Sequence, residues 1–167
     1  MTSRRLTLVS VLVLLGSLWC VAALAQSKRP TLLVTHLPDP CPVNRPRGEY
    51  RAPYPNVWYY RTEVKNNTAV PLRIVKFTPW ALMNGKWKEQ DNVLHHPLGS
   101  KEFTAWYTEG DEVTDGWIAP GKVAACDPNW TWNREPIEQT AKWVFTATDK
   151  QGATYTAEAI VHLLPKK

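Results

Sequence analysis

The feature that most constrains the fold is a two-residue alternation of apolar and polar side chains within short stretches of the chain. In Val57–Lys65, every second residue from Trp58 to Val64 falls on one face of an extended strand. Near the end of the chain, every second residue from Tyr155 to Leu163 shares a face that we expect to line the core. Further β-rich stretches cover residues 31–36, 72–77, 81–83, 86–88, 103–108, 117–125 and 142–148. The sequence therefore predicts an all-β protein of seven or eight antiparallel strands, whose short spacing favours a sandwich over a barrel.

Turn residues separate these stretches at positions that suit hairpins. Asn84-Gly85 is a two-residue loop in which both residues tolerate the positive φ angles of a type I′ turn. Such a turn places Leu82 opposite Trp87 across the hairpin. The 14 prolines argue against long helices because each removes a backbone donor. The single helical turn that we predict within the domain covers residues 135–140.

An uncharged, apolar segment lies near the N-terminus. Residues 6–25 are rich in leucine and valine, and they end in an Ala-Leu-Ala sequence that a signal peptidase accepts. Cleavage before Gln26 makes the segment a signal peptide, whereas retention makes it a helical membrane anchor, since its length suffices to span the hydrocarbon core. Under either interpretation Arg4 and Arg5 hold the N-terminus inside and place the domain outside the cytoplasm.

The chain therefore divides into a targeting segment and one domain. Residues 1–25 are predicted to be the signal peptide or uncleaved membrane anchor. Residues 26–56 hold the first strand and a proline-rich irregular segment, and residues 57–167 hold the remainder of the single β-sandwich domain. The predicted location is extracytoplasmic, in the periplasm or at the cell surface. Membrane contact through residues 6–25 follows if the leader is retained.

Two of the three cysteines lie beyond the leader. Cys41 and Cys126 most simply form one disulfide in an oxidising compartment. The alternative, a metal or redox pair, has no Cys-x-x-Cys spacing and no neighbouring histidine pair. We therefore predict a structural disulfide that closes a long loop.

Three local patterns resemble bacterial extracytoplasmic immunoglobulin-like or fibronectin-like domains. They are the strand end and restart at residues 64–68 (VKNNT) and 71–74 (PLRI), the step at residues 118–121 (IAPG), and the terminal hairpin around residues 149–152. The resemblance covers residues 30–164 and implies an immunoglobulin-like antiparallel β-sandwich. Cys41 and Cys126 depart from the antibody pattern, because they are not placed like its inter-sheet disulfide.

No catalytic set is apparent. Beyond the leader the only serines are Ser27 and Ser100, and neither lies in a Gly-x-Ser-x-Gly sequence. His95-His96 precedes a proline, and adjacent residues of an extended chain point in opposite directions, so we predict a surface loop rather than a metal site. The basic residues form no stripe with interleaved aromatics, which argues against nucleic acid. We predict no enzymatic activity, no metal and no cofactor.

Tryptophan is the unusual part of the composition. Nine are present, and eight lie beyond the leader. Trp58 and Trp143, and with them Trp80, fit apolar strand patterns and are assigned to the core. The remaining five fall near turns or beside polar residues, and a single small domain does not easily bury so many large rings. These candidate partner- or ligand-binding residues are Trp87, Trp106, Trp117, Trp130 and Trp132.

Two functions fit these residues. The first is a non-enzymatic extracytoplasmic protein-interaction module, such as an accessory or scaffolding subunit on the outer face of a membrane protein complex. The second is a carbohydrate-binding module that stacks sugars on exposed tryptophans. The segment around Trp130 and Trp132, which we expect to be a loop, directly follows Cys126. A disulfide would hold this loop rigid and lower the entropy lost on binding.

Overall fold

A computed structural model of the protein describes residues 31–45 and 55–166. In this part the chain forms ten strands and one short helix. The strands are β1 (Leu32–Leu37), β2 (Val43–Asn44), β3 (Asn56–Asn66), β4 (Leu72–Met83), β5 (Lys86–Glu89), β6 (Glu109–Gly110), β7 (Trp117–Ile118), β8 (Val123–Asn133), β9 (Gln139–Thr148) and β10 (Thr154–Leu163), and the helix α1 is Ser100–Trp106. The predicted signal peptide or anchor at residues 1–25 lies outside the described residues.

The strands form two antiparallel sheets. The first sheet has the order β1-β3-β8-β6, with β2 also paired to β3. The second has the order β10-β9-β4-β5, with β7 also paired to β4. This arrangement confirms the predicted all-β sandwich at the level of its architecture. Seven of the strands have four or more residues, and the three additional ones, β2, β6 and β7, have only two residues each.

Aromatic side chains from both sheets and from α1 make up the centre of the core. Trp58 and Tyr60 of β3 are almost completely buried, as the alternation predicted. Phe77 of β4 stacks on Phe145 of β9 with ring centroids 5.6 Å apart. Burying such rings is the main favourable term in folding, at roughly 25 cal/mol per Å² of apolar surface removed from water.

The predicted hairpin is confirmed. Asn84 and Gly85 have φ angles of 52° and 72°, the positive values that a type I′ turn requires. Leu82 lies opposite Trp87 in the register of β4 and β5. The hairpin therefore forms because its two loop residues tolerate a backbone conformation that most residues avoid.

One predicted strand is wrong. Residues 103–108 were expected to be extended, but α1 ends within this range and Tyr107 follows it. Helical spacing brings Phe103 and Tyr107 to one face, where their rings stack with centroids 4.3 Å apart and both pack against Phe77. At the N-terminus of α1, the Gly99 N–H donates to a Glu102 carboxylate oxygen over 2.9 Å. Tertiary packing of two aromatics thus outweighs the β propensity of this stretch.

Two further predictions also need correction. No helical turn forms at residues 135–140, where β9 already begins at Gln139. The tryptophan-containing segment after Cys126, expected to be a loop, continues β8 as far as Asn133. Among the described residues, no helix combines the length and apolar character needed to cross a membrane.

Candidate functional site

The two long sides of the sandwich differ, and the difference defines the candidate site. On the first side, β1 and the chain that follows it contact β10 through polar bonds. The Cys41 N–H donates to the His162 carbonyl over 2.7 Å, and the Leu164 N–H donates back to the Cys41 carbonyl over 2.8 Å. A ring nitrogen of His36 lies 3.1 Å from the Ala159 carbonyl oxygen. This side, which we call the sealed side, is closed by hydrogen bonds between the sheets.

On the second side, α1 connects the sheets over only part of their length. Before α1, Leu98 bridges to Phe77 of β4, and after it β6 pairs with Ala124 and Ala125 of β8. Beyond the C-terminal end of α1 the sheets separate and leave a cleft of about 930 Å³. The cleft lies between the second half of β8 and strands β4 and β9, with the loop at residues 90–94 at its margin. We call this the open side.

Apolar side chains dominate the cleft. Trp106 of α1 and Trp143 of β9 line it, together with residues of β4 and of the loop after β5. In the described part of the chain, nine large apolar residues are exposed. Five of these nine line the cleft: Leu82, Met83, Val93, Leu94 and Ile137. Exposed apolar residues are therefore concentrated here rather than scattered over the surface.

Three of the five predicted binding tryptophans line the cleft, namely Trp106, Trp130 and Trp132, and Trp80 and Trp143 join them. Trp130 lies opposite Tyr59 and Trp132 opposite Val57 in the ladder, and the two indole rings lie 4.7 Å apart.

The other two predicted tryptophans lie elsewhere. Trp87 covers the Lys142 ammonium, which is 4.6 Å from its ring centroid. Trp117 lies in β7 with Lys150 5.9 Å from its ring centroid. Of the eight described tryptophans, Trp58 and Trp143 are buried and the other six are half-buried.

A chain of buried hydrogen bonds runs from the cleft to the sealed side. The Asn129 side-chain amide donates to the Thr62 hydroxyl over 2.8 Å, and Thr62 lies 3.0 Å from Nδ1 of His36. Because the Ala159 carbonyl only accepts, His36 carries its proton on Nε2 and Nδ1 accepts from Thr62. Burial lowers the pKa of His36 from 6.5 to about 4, so the imidazole is neutral.

A second polar contact lies at the floor of the cleft. The Trp143 indole N–H donates to the Tyr60 hydroxyl over 3.0 Å, and this hydroxyl lies 2.9 Å from the Thr131 hydroxyl. Burial raises the pKa of Tyr60 to about 12, so the phenol stays protonated. The hydrogen bonds of His36 and those of Tyr60 position aromatic and amide groups. Neither residue supplies a group that exchanges a proton near neutral pH.

The predicted disulfide is not formed in the structure, where Cys41 and Cys126 are free thiols. The Cys41 thiol points to the Tyr59 carbonyl at 3.2 Å, and the Cys126 thiol points to the Pro128 carbonyl at 3.8 Å. Burial raises the pKa of each to about 12. The structure thus directs each sulfur to a different carbonyl, and a crosslink stays a prediction for the oxidised protein.

The polar residues considered at the sequence level do not converge. His95 is exposed and contacts the Asp91 carboxylate, whereas His36 is buried on the sealed side. Within residues 31–45 and 55–166, no group of three potential metal ligands occurs. The Ser100 hydroxyl donates to the Ile74 carbonyl over 2.7 Å. These contacts are structural.

Sequence reasoning missed the apolar part of the site. Val93 and Leu94 lie in a loop, and Ile137 lies in the segment assigned to a helical turn. An available signal was the pair of adjacent apolar residues inside an otherwise polar loop, which nothing in a strand pattern explains.

Two buried polar atoms among the described residues also lack a hydrogen-bond partner: the Tyr107 hydroxyl, and the side-chain nitrogen of Gln139, a residue of the cleft.

Comparison with known proteins gives a fold and no function. No family model matches the chain, and no curated protein matches it. Among solved structures, a Bordetella pertussis protein with the provisional name ApaA is similar, with a TM-score of 0.50 and 11% identity. The match covers 84% of this chain and 98% of that one. At this identity the similarity supports the two-sheet fold alone.

Proposed function

We propose that this chain is a non-enzymatic protein-interaction module whose binding surface is the cleft on the open side. The observation that carries the proposal is the gathering of five exposed apolar side chains around one opening in the sandwich. Soluble proteins keep large contiguous apolar patches for partners, because water contact with such a patch is unfavourable. Half-buried tryptophans beside them provide rigid rings, and such rings often dominate the energy of protein interfaces.

The proposed location is extracytoplasmic. It rests on the basic start and the apolar run of residues 6–25, with the domain on the outer side of a membrane. The proposed role is that of an accessory or scaffolding subunit on the outer face of a membrane protein complex. The proposed fold family is immunoglobulin-like or fibronectin-like, and two packed antiparallel sheets support it.

The test replaces one exposed apolar residue at a time by a photo-crosslinking amino acid in cells that produce the protein naturally. Leu94 is the test position because it is 42% exposed and lines the cleft. Ile160 is the matched control because it is 41% exposed and is not among the cleft residues. We expect a discrete protein adduct from position 94 and none from position 160.

Adducts of equal yield from both positions would show nonspecific contact and would contradict the proposal. So would the absence of any protein adduct from position 94 in both membrane and soluble fractions. Fractionation of the same cells tests the location, since a protein found wholly in the cytoplasm contradicts it.

Glycan binding is the second candidate, and amide side chains favour it. Besides the tryptophans, the cleft is lined by Asn84, Gln90, Asn92, Asn133 and Gln139. Amides that pair with sugar hydroxyls beside an aromatic ring fix the orientation of a polar ligand. Binding on a glycan array that is lost in a Trp130→Ala, Trp132→Ala double variant would support this function, and a silent array would remove it.

A further inference from the structure

The wall of the cleft that β8 forms is a sheet edge. On one side β8 pairs with β3 from Val123 to Asn133, with an irregularity at Asp127 and Pro128. On the other side β6 pairs only with Ala124 and Ala125. No other described strand pairs with β8 on this side, so residues 126–133 present a backbone edge to the cleft. A strand edge recognises another extended chain through its regularly spaced N–H and C=O groups.

The direction of these backbone groups follows from one contact. The Asn66 N–H of β3 donates to the Lys122 carbonyl over 3.0 Å, so every second residue of β3 back to Asn56 directs its backbone groups to β8, and Val57, which lies opposite Trp132, does not. Alternate residues of an antiparallel strand direct their N–H and C=O groups to the same side. The N–H and C=O of Trp132 are therefore directed away from β3 and toward the open side.

Charged side chains of both signs line the cleft. They are the carboxylates of Asp91, Asp127 and Glu138 and the cations of Arg134 and Lys142. The Lys142 ammonium is held by Glu158 at 2.7 Å, and the Asp127 carboxylate lies 3.5 Å from the Arg61 guanidinium. The charges around the cleft are therefore largely balanced within the protein, and the edge of β8 is the feature that selects an occupant.

We infer that the occupant is an extended segment of a partner protein, which adds to β8 as a strand. The segment hydrogen-bonds to the backbone at Trp132 and inserts alternate apolar side chains between the sheets. This inference rests on the proposed protein-interaction function and names the kind of partner surface. A helical partner satisfies its own backbone groups internally, so it would leave the edge of β8 unused.

The first test identifies the occupant chemistry without a known partner. A phage-displayed library of random dodecapeptides is selected on the immobilised protein. The spacing of apolar residues is then determined in the enriched sequences. We expect apolar residues at every second position. Apolar spacing of three and four residues indicates a helical occupant and overturns the inference, as does the absence of enrichment.

The second test asks whether the peptide backbone takes part. Two isomers of the best peptide are made, one N-methylated at the odd amides and one at the even amides. Because only one edge of an added strand meets β8, one isomer should bind at least tenfold more weakly and the other within about threefold of the parent. Equal weakening of both isomers contradicts strand addition.

The third test uses the protein itself. Trp132→Pro removes the N–H that is directed toward the cleft, and proline is tolerated at strand edges. Trp132→Ala removes the same ring and keeps the N–H, so it is the matched control. We expect peptide binding to fall at least tenfold in the proline variant relative to the alanine variant, with circular dichroism confirming that both fold. Should the proline variant fail to fold, slowed hydrogen exchange of the Trp132 amide on adding peptide to the unaltered protein supplies the measurement.

The outcomes separate the two proposals. Position 94 could give a protein adduct while the two Trp132 variants bind peptide equally, or while peptide does not protect the Trp132 amide. Such a result retains the proposed interaction module and overturns strand addition. No adduct from position 94 removes the interaction module itself. A dimer of the peptide-free protein that the Trp132→Pro change abolishes would identify a second copy as the occupant and overturn the inference.

Discussion

The sealed side and the open side of the sandwich cover the hydrophobic core in different ways. On each side, the hydrophobic core between the two sheets must be covered along the edges of the sheets. On the sealed side, backbone bonds through Cys41 and the imidazole of His36 connect β1 to β10. On the open side, α1 covers part of the gap and the rest remains a cleft. A small β-sandwich can thus be closed by hydrogen bonds on one side and leave apolar surface open on the other.

The difference also appears in the polar groups. On the sealed side, both ring nitrogens of His36 have partners, the Thr62 hydroxyl and the Ala159 carbonyl. On the open side the Gln139 nitrogen has no hydrogen-bond partner. Burying a polar group without a partner costs free energy, so a satisfied network marks a region selected for stability. The predictions below test this contrast, from the largest expected effect to the smallest.

The largest effect should come from Trp58, which is completely buried and whose indole N–H donates to the Leu164 carbonyl over 2.7 Å. Trp58→Ala should lower the free energy of unfolding by about 4 kcal/mol because it leaves a cavity and an unsatisfied carbonyl. Trp106→Ala, on the half-buried wall of the cleft, should cost about 2 kcal/mol. Urea denaturation measures both, and equal losses would remove the contrast between the two sides.

The next effect is a dependence of stability on pH. The folded pKa of His36 is about 4, below its usual 6.5, because burial disfavours the imidazolium. As the pH falls from 6.5 to 4, the unfolded chain takes up a proton that the folded protein does not. The free energy of unfolding should therefore decrease across this window, by about 3 kcal/mol in total.

The control is the same titration of a His36→Gln variant. Between pH 6.5 and 4.5 its unfolding free energy should depend less on pH than that of the unaltered protein. Glu102, Asp111 and Asp149 have lowered pKa values, and because both proteins share them their contribution cancels in the difference between the two curves. Parallel curves for the two proteins would mean that His36 is not buried in its neutral form.

A smaller effect should follow from Thr62→Val. The change keeps the shape of the side chain but removes the hydroxyl that joins Asn129 to His36. Two buried polar groups lose a partner, and the expected loss is about 2 kcal/mol. Thr62→Ser retains the hydroxyl and should lose less than half as much; a serine variant as unstable as the valine variant would assign the effect to packing.

The smallest effect should come from the rim of the cleft. Leu94→Asn replaces an exposed apolar side chain and should change the free energy of unfolding by less than about 0.5 kcal/mol. Thermal denaturation of this variant beside Ile160→Asn measures the effect. A large loss at position 94 would mean that the cleft residues belong to the core and are not available to a partner.

The strands were predictable where local chemistry decides the conformation. Alternation placed Trp58 and Tyr60 in the core, and the positive φ angles available to Asn84 and Gly85 determined a hairpin. The 103–108 stretch failed because its residues have high β propensity one at a time, while the stack of Phe103 and Tyr107 depends on a tertiary partner. Contacts with distant residues do not appear in a local pattern.

The candidate site was predictable only in part. The surplus of aromatic residues pointed to Trp106, Trp130 and Trp132, and these three residues line the cleft. Their partial burial was not foreseen, because it depends on which neighbours the fold provides. Trp130 and Trp132, for example, lie within 4.7 Å of each other only because both belong to one strand. The loop residues that complete the cleft carry no periodic signal.

The bonds of the sealed side have a consequence for how the protein is made. They join residues near the beginning of the domain to its last strand, as in the contacts of His36 with Ala159 and of Cys41 with Leu164. A ribosome delivers β10 after every other strand of the domain, so this wall cannot close until β10 has been made. Contacts between such distant positions slow folding, and the nascent chain therefore stays incompletely folded while its last strand is still being made.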